Sequence, residues 1–185
     1  MSKAGTPIHA YVVAWHEPPP PKDSLKGAFS PLPIGTYGAV IDGLPDGAEM
    51  WGAGYANWPV PLIAIGVQRI LRCLQPLGVR PIIHTHLEFW RHINPDRGHV
   101  RYPMKTGGKK RSGAPYSGWE AVADAAEALD RGDWSWQVPM SHLGELRSSR
   151  LAQEEARLAG ERHREKHHPA RDEYPNPVIV VESPD

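Results

Sequence analysis

From Leu62 to Leu77 the apolar side chains recur with the period of a helix, at Leu62, Ile65, Ile70, Cys73, Leu74 and Leu77, while Gln68, Arg69, Arg72 and Gln75 fill the positions between them. Gly78 follows where a left-handed residue would cap such a helix, and Arg80–Thr85 (RPIIHT) then reads as a short buried strand. A helix set between strands constrains everything around it, because only a crossover of this kind brings a strand back parallel to an earlier one. Upstream, Tyr37–Ile41 (YGAVI) and Glu49–Tyr55 (EMWGAGY) are β-prone and separated by the turn sequence Leu44-Pro45-Asp46-Gly47, so they form an antiparallel hairpin. Ile8–Trp15 (IHAYVVAW) is a further strand, stopped by Pro18–Pro21. A hairpin that feeds a helix and then another strand implies a mixed sheet flanked by helices.

The second half continues the alternation. Leu87–Ile93 suits a helical turn or two before Pro95, Trp119–Leu129 is a helix, Asp133–Met140 (DWSWQVPM) alternates like a strand, and Arg150–Arg164 is a charged helix. At 185 residues the chain suits one domain with short appendages. We place that domain at 1–160 and a charged helical extension with a Pro-containing tail at 161–185. Lys plus Arg and Asp plus Glu both number 21, so total charge favours neither nucleic acid nor a membrane surface and any footprint is local. The lone Cys73 excludes an internal disulfide framework and fits a reducing compartment. Met1–Pro7 lacks a signal-peptide pattern, and no stretch approaches the roughly 18 apolar residues of a membrane helix. A cytoplasmic protein without a membrane partner is the expectation.

Five short motifs in the right order resemble the bacterial type 1 ribonuclease H family. Gly35-Thr36-Tyr37-Gly38-Ala39-Val40 resembles its second strand, GGYGAxL, and Ala53-Gly54-Tyr55 its third, AGYT. His84-Thr85-His86-Leu87-Glu88-Phe89-Trp90 is similar to the strand ending in T-D-S-x-Y-V, and Trp119 opens what resembles the W-x-x-L helix. Trp134 to Gly144 resembles the closing W-x-W-V-K-G-H-x-G, with Arg150 and Ala152 in the helix that follows. The resemblance implies an α/β fold with a five-stranded mixed sheet, three antiparallel strands followed by parallel ones.

It also implies a chemistry, hydrolysis of the RNA strand of an RNA–DNA hybrid by two Mg²⁺ ions about 4 Å apart. Mg²⁺ demands oxygen ligands, and the family supplies four carboxylates. Position by position, this sequence places Ala14, Pro61, His86 and Ala152 where those carboxylates belong, and no Asp or Glu occurs between Met50 and Leu87. Asp42, in Ile41-Asp42-Gly43, is an alternative first aspartate, and Glu17, Glu154 and Glu155 are stand-ins only after a shift of register. The expectation is a domain without two-metal catalysis and with no cofactor, Mg²⁺ being required only if a rearranged nuclease site survives.

His142 matches the family's loop histidine and is, with Asp42, the candidate for any residual catalysis. Imidazoles favour transition metals, so His16, His86 and His142 form a weak alternative metal set. His84 and His86 alternate along a strand and share one face, where one of them is expected to be buried and hydrogen bonded. Binding of nucleic acid needs no metal. Lys105, Lys109, Lys110 and Arg111 lie where the family carries a basic protrusion, Gly107, Gly108 and Gly113 allow close backbone approach, and Trp119 and Tyr116 are candidate stacking residues, although the helical spacing of Trp119 with Val122 suits a core position. Residues 177–182 (PVIVVE) form an apolar terminal strand that pairs with the chain's own sheet or with a protein partner. Three functions follow: a non-catalytic nucleic-acid-binding or scaffold module, a residual hybrid nuclease, and a protein-interaction domain.

Overall fold

The computed structural model describes residues 7–17, 34–44, 48–56, 58–137, 142–164 and 178–184. The expected proline stop at 18–21, the turn at 45–47, the strand end at 138–140 and the tail at 165–177 lie outside these residues. Six strands form one sheet in the order β5-β4-β1-β2-β3-β6. The first three, β1 (His9–His16), β2 (Ile34–Asp42) and β3 (Ala48–Tyr55), are a meander, since β1 pairs antiparallel with β2 and β2 antiparallel with β3. Helix α1 (Val60–Leu74) and a 3₁₀ turn (Gln75–Leu77) lead to β4 (Ile82–His84), which lies parallel to β1, and β5 (Ser135–Gln137) lies parallel to β4. This is the mixed α/β sheet that the crossover helix demands.

One sheet face carries α1, α2 (Leu87–Ile93) and α4 (Trp119–Asp130), with Ala10, Val12, Ala39, Ile41, Ile63, Val67, Ile70, Ile83, Phe89 and Val122 in a single apolar core. A short helix α3 (Arg101–Thr106), not foreseen from the sequence, stands between α2 and α4. By length and composition the 18-residue stretch Val60–Leu77 is apolar enough to cross a membrane, contrary to the expectation above. Its buried Val60, Leu62, Ile63, Val67, Ile70 and Leu74 instead face the sheet and α4. The turn after it ends at Gly78, whose φ of +63° is the left-handed conformation that a Cβ disfavours.

Across the other face runs a helical rod made of α5 (His142–Arg150), one π-helical turn (Leu151–Ala156) and α6 (Arg157–Arg164). It begins eight residues earlier than the charge pattern from Arg150 indicates, because the low apolar content of 142–150 hides the helical period. The rod reaches the sheet most tightly at Gly38. A Cβ on Gly38 would run into the Ser148 carbonyl oxygen, 2.8 Å from the Ala152 amide nitrogen and 2.9 Å from the Leu151 Cβ, so glycine is what lets this backbone lie on β2.

The sheet has a sixth strand, β6 (Val178–Glu182), antiparallel to β3 and drawn from the expected extension. The apolar terminal segment thus covers its own sheet's edge. A buried Arg69 on α1, 3% exposed, ties it down. The guanidinium donates to the Ser183 carbonyl, to the Trp51 carbonyl at 3.1 Å and to the Tyr37 hydroxyl at 3.2 Å, and lies 3.9 Å from the Glu182 carboxylate. Tyr37 in turn donates to Glu182 at 2.6 Å, and burial with this anionic partner holds its phenol well above the usual tyrosine range.

Candidate nucleic-acid interface

The carboxyl end of β4 lies beside the middle of the parallel strand β1, where His84 pairs with Tyr11, and α5 passes over β1 and β2. A narrow crevice there is lined by Tyr11, Val12 and Val13 of β1, by His84, Thr85 and His86 at the end of β4, and by Glu145 of α5. Side chains alternate along β1. Ala14 packs into the apolar cluster of Tyr37, Ala56 and Leu62 under α1, while Val13 borders the crevice. Pro61 is buried in the first turn of α1, which carries no acidic residue. His86 is exposed and stands at the N-terminal boundary of α2 with extended backbone. Ala152 is fully buried over β2, its carbonyl accepting a hydrogen bond from the Thr36 hydroxyl at 2.7 Å. Ala152 therefore lies over β2 and outside the crevice lining, and the residue that the rod contributes to the crevice is Glu145, which motif matching passed over.

Asp42 stands at the far end of β1, opposite His9 in the antiparallel register. Four residues of strand separate His9 from Val13, about 13 Å, and Asp42 is engaged by Arg147 at 3.5 Å, which also holds Glu49 at 2.6 Å. Asp42 thus does not join the crevice. Glu154 and Glu155 are exposed on the π turn. The Glu17 carboxylate accepts from the Ile34 amide at 3.4 Å. Mg²⁺ fits this donor set poorly: Val13, Ala14, Pro61 and Ala152 offer no side-chain oxygen, and what the crevice holds is the Glu145 carboxylate and the buried Thr85 hydroxyl, which has no hydrogen-bond partner among the described residues.

The histidines divide. His84 is 3% exposed, its Nε2 2.9 Å from the His9 Nδ1 and its ring stacked on Tyr11 at 4.7 Å between centroids, the buried and satisfied state expected for one of the pair. His16 lies with its Nε2 2.6 Å from the Ala56 carbonyl oxygen. His142 heads α5, and its side chain is outside the described part. Among the described residues no three His, Cys, Asp or Glu side chains are grouped as metal ligands.

The basic segment has defined geometry. Lys109 and Pro115 form an antiparallel bridge, and the Lys110 amide donates to Ala114 at 2.8 Å while the Gly113 amide donates to Lys110 at 2.9 Å. The result is a small stapled turn that keeps Lys109, Lys110 and Arg111 exposed, next to the exposed Lys105 of α3. Gly108 lies against Trp119: with φ +83°, any Cβ there would strike the indole. Trp119 is half-buried and packs on the main core, as its helical spacing suggests.

This turn forms one wall of a cleft of about 820 Å³, whose other walls are Trp58 ahead of α1, His92 and the segment 96–103. Lys110 Nζ hangs 5.8 Å from the Tyr116 ring centroid and the Arg111 guanidinium 5.7 Å from that of Tyr102, cation–π distances. Trp58 is fixed by donating its indole N–H to the Ser117 carbonyl at 3.0 Å. His92 links Glu88 at 3.4 Å to the Tyr116 hydroxyl at 2.6 Å. Burial, with the neighbouring His99, lowers the His92 pKa, against the smaller opposing pull of Glu88. Nothing in the periodicity pointed to this cleft, because its walls come from four segments between Trp58 and Ser117.

No protein-family model matches the sequence, and no curated protein is significantly similar to it. Solved structures are similar in fold. LC9-RNase H1, a type 1 RNase H with the type 2 active-site motif, superposes with a TM-score of 0.53 at 16% identity, covering 97% of this chain and 80% of that one. The foamy viral protease-reverse transcriptase in complex with an RNA/DNA hybrid gives a TM-score of 0.48 at 12% identity over 79% of this chain, which spans 20% of the viral one. The order of strands, the parallel crossover through α1 and the likeness to LC9-RNase H1 together give this chain a ribonuclease H-like fold.

Proposed function

We propose that the chain is a ribonuclease H-like module that lacks two-metal catalysis and binds nucleic acid through Lys105, Lys109, Lys110 and Arg111. The observation that carries the reading is the crevice between the middle of β1 and the end of β4, where Val13, Thr85, His86 and, among the described residues, a single carboxylate, Glu145, stand together. Two Mg²⁺ ions bridged across a phosphate need several carboxylates on one locus. One glutamate on a mostly apolar crevice does not supply them. The stapled turn supports the binding half of the reading, since it keeps three cations exposed on a fixed backbone beside Lys105 of α3, and phosphate contacts of this kind provide most sequence-independent affinity. An RNA–DNA hybrid is the partner that the fold suggests first, with duplexes as comparators.

The test is fluorescence anisotropy of labelled hybrid, duplex RNA and duplex DNA over a salt series. Changing Lys109, Lys110 and Arg111 to alanine together is expected to flatten the slope of log K against log salt by up to about 0.9 per lost phosphate contact. An unchanged slope removes the turn from the interface. Absence of binding at low salt refutes the nucleic-acid reading and leaves a protein partner as the alternative, reached through the outer edge of β6, the last strand in the sheet order. Mg²⁺-dependent cleavage of the hybrid overturns the non-catalytic half and restores the residual-nuclease reading, with Glu145 as its first suspect.

A further inference from the structure

The cleft beside the basic turn is built for something smaller than a duplex. From its position and lining we infer that it binds one unpaired nucleoside phosphate, base among the aromatic side chains and phosphate at the cations of the rim; the inference rests on the nucleic-acid reading of the turn and extends it. Three observations converge. The volume of about 820 Å³ falls in the range of about 300–1,000 Å³ typical of small-molecule sites, and walls from Trp58, α2, the 96–103 segment and the turn enclose it on several sides, so a base still stacked and paired cannot enter. Its lining supplies π surface from the half-buried Trp58 and the exposed Tyr102, with the buried Tyr116 behind them, and unstacked bases are held on such surfaces. The charge at the rim is positive: Arg97, Lys110 and Arg111 face one carboxylate, Asp96. Arg101 also lines the cleft, but its guanidinium is engaged by Asp130 and by the Ile93 and Asn94 carbonyls.

The two aromatic–cation pairs give the site its logic. Lys110 over Tyr116 and Arg111 over Tyr102 place each cation next to a ring, so a phosphate drawn to the cation brings its base to the ring. The walls are also fixed before any ligand arrives. The Trp58 indole is bonded to Ser117 and the Tyr116 hydroxyl to His92, so little side-chain order has to be created on binding. Tyr102 is 40% exposed, which makes it the ring most open to a ligand and the safest to alter.

Calorimetric titration of the full chain with adenosine 5′-monophosphate, adenosine and inorganic phosphate tests the assignment. The monophosphate is expected to bind at least tenfold more tightly than either fragment, and Tyr102→Ser to weaken it at least fivefold with an unchanged thermal melt. A 5′-phosphorylated trinucleotide separates the sources of the nucleotide: tighter binding than the monophosphate identifies the end of a strand, equal binding a free nucleotide, and both outcomes support the site. Phosphate binding as tightly as the monophosphate reduces the cleft to surface cations and overturns the inference. So does full affinity in Tyr102→Ser. The two readings fail separately, because Tyr102→Ser keeps Lys109, Lys110 and Arg111 and so preserves hybrid binding and its salt slope. Hybrid binding without nucleotide binding sinks only the cleft, and absence of both sinks the reading on which it rests.

Discussion

Arg69→Ala is the substitution that most directly tests how the last strand is held. The side chain sits on α1, 3% exposed, and reaches across β2 and β3 to the segment that ends β6. Its loss does not orphan every partner: the Tyr37 hydroxyl keeps Glu182 at 2.6 Å, and the Trp51 carbonyl keeps the Ser183 amide at 2.9 Å. The Ser183 carbonyl loses the guanidinium, Glu182 loses its cation, and a void replaces the buried stem. Removing one member of a fully buried pair costs about 3–5 kcal/mol. Glu182 is 35% exposed, so water takes up part of its charge and the expected cost is nearer 3 kcal/mol. For a chain of this size that lowers Tm by roughly 6–12 °C. Thermal melting read by circular dichroism gives the total, and hydrogen exchange of the β3 amides that face β6 shows whether the loss is local. Arg69→Lys keeps a charge but cannot span three acceptors with one ammonium, so it is expected to fall between the other two. A Tm within 2 °C of the parent for Arg69→Ala, with β3 amides still protected, refutes the claim that this arginine fastens β6.

Gly38→Ala places a methyl group against the backbone of Ser148 and Ala152, where neither neighbour is a flexible side chain, so urea unfolding is expected to show a loss of at least about 1–3 kcal/mol. Gly108→Ala combines a positive φ with contact on Trp119; it is expected to loosen the basic turn and weaken hybrid binding, measured by anisotropy, more than it lowers Tm. His92 has a folded pKa below its unfolded value of 6.5, so the unfolded chain binds the extra proton first. Stability is therefore full above pH 6.5 and declines as pH falls from there through the folded pKa, and His92→Gln is expected to remove that part of the pH dependence in urea midpoints. Glu145→Gln removes the one crevice carboxylate among the described residues with little change of shape; hybrid cleavage is expected at background in both proteins, and Mg²⁺-dependent cleavage lost with this substitution would identify a working nuclease.

What could be read from the sequence was what local periodicity encodes. The α1 period, the Gly78 stop and the Tyr37-Gly38 motif each rest on neighbours within a few residues, and together they specified the crossover and the β-meander. The edge strand β6 was foreseen as a strand, yet its partner depends on Arg69, more than a hundred residues away, and no local pattern states that pairing. The candidate site was legible in the same uneven way. The absence of acidic residues from β1, α1 and β4 is plain in the chain, because those elements were placed in register by motifs on both sides. The rod was not, since residues 142–150 carry too few apolar side chains to show where a helix begins. The helix starts at His142, and it lays Ala152 against Gly38 of β2 and Glu145 at the crevice. The cleft lay further still from sequence reasoning, because Trp58, His92, Tyr102 and Tyr116 belong to four segments whose only common property is where the sheet and its helices leave them.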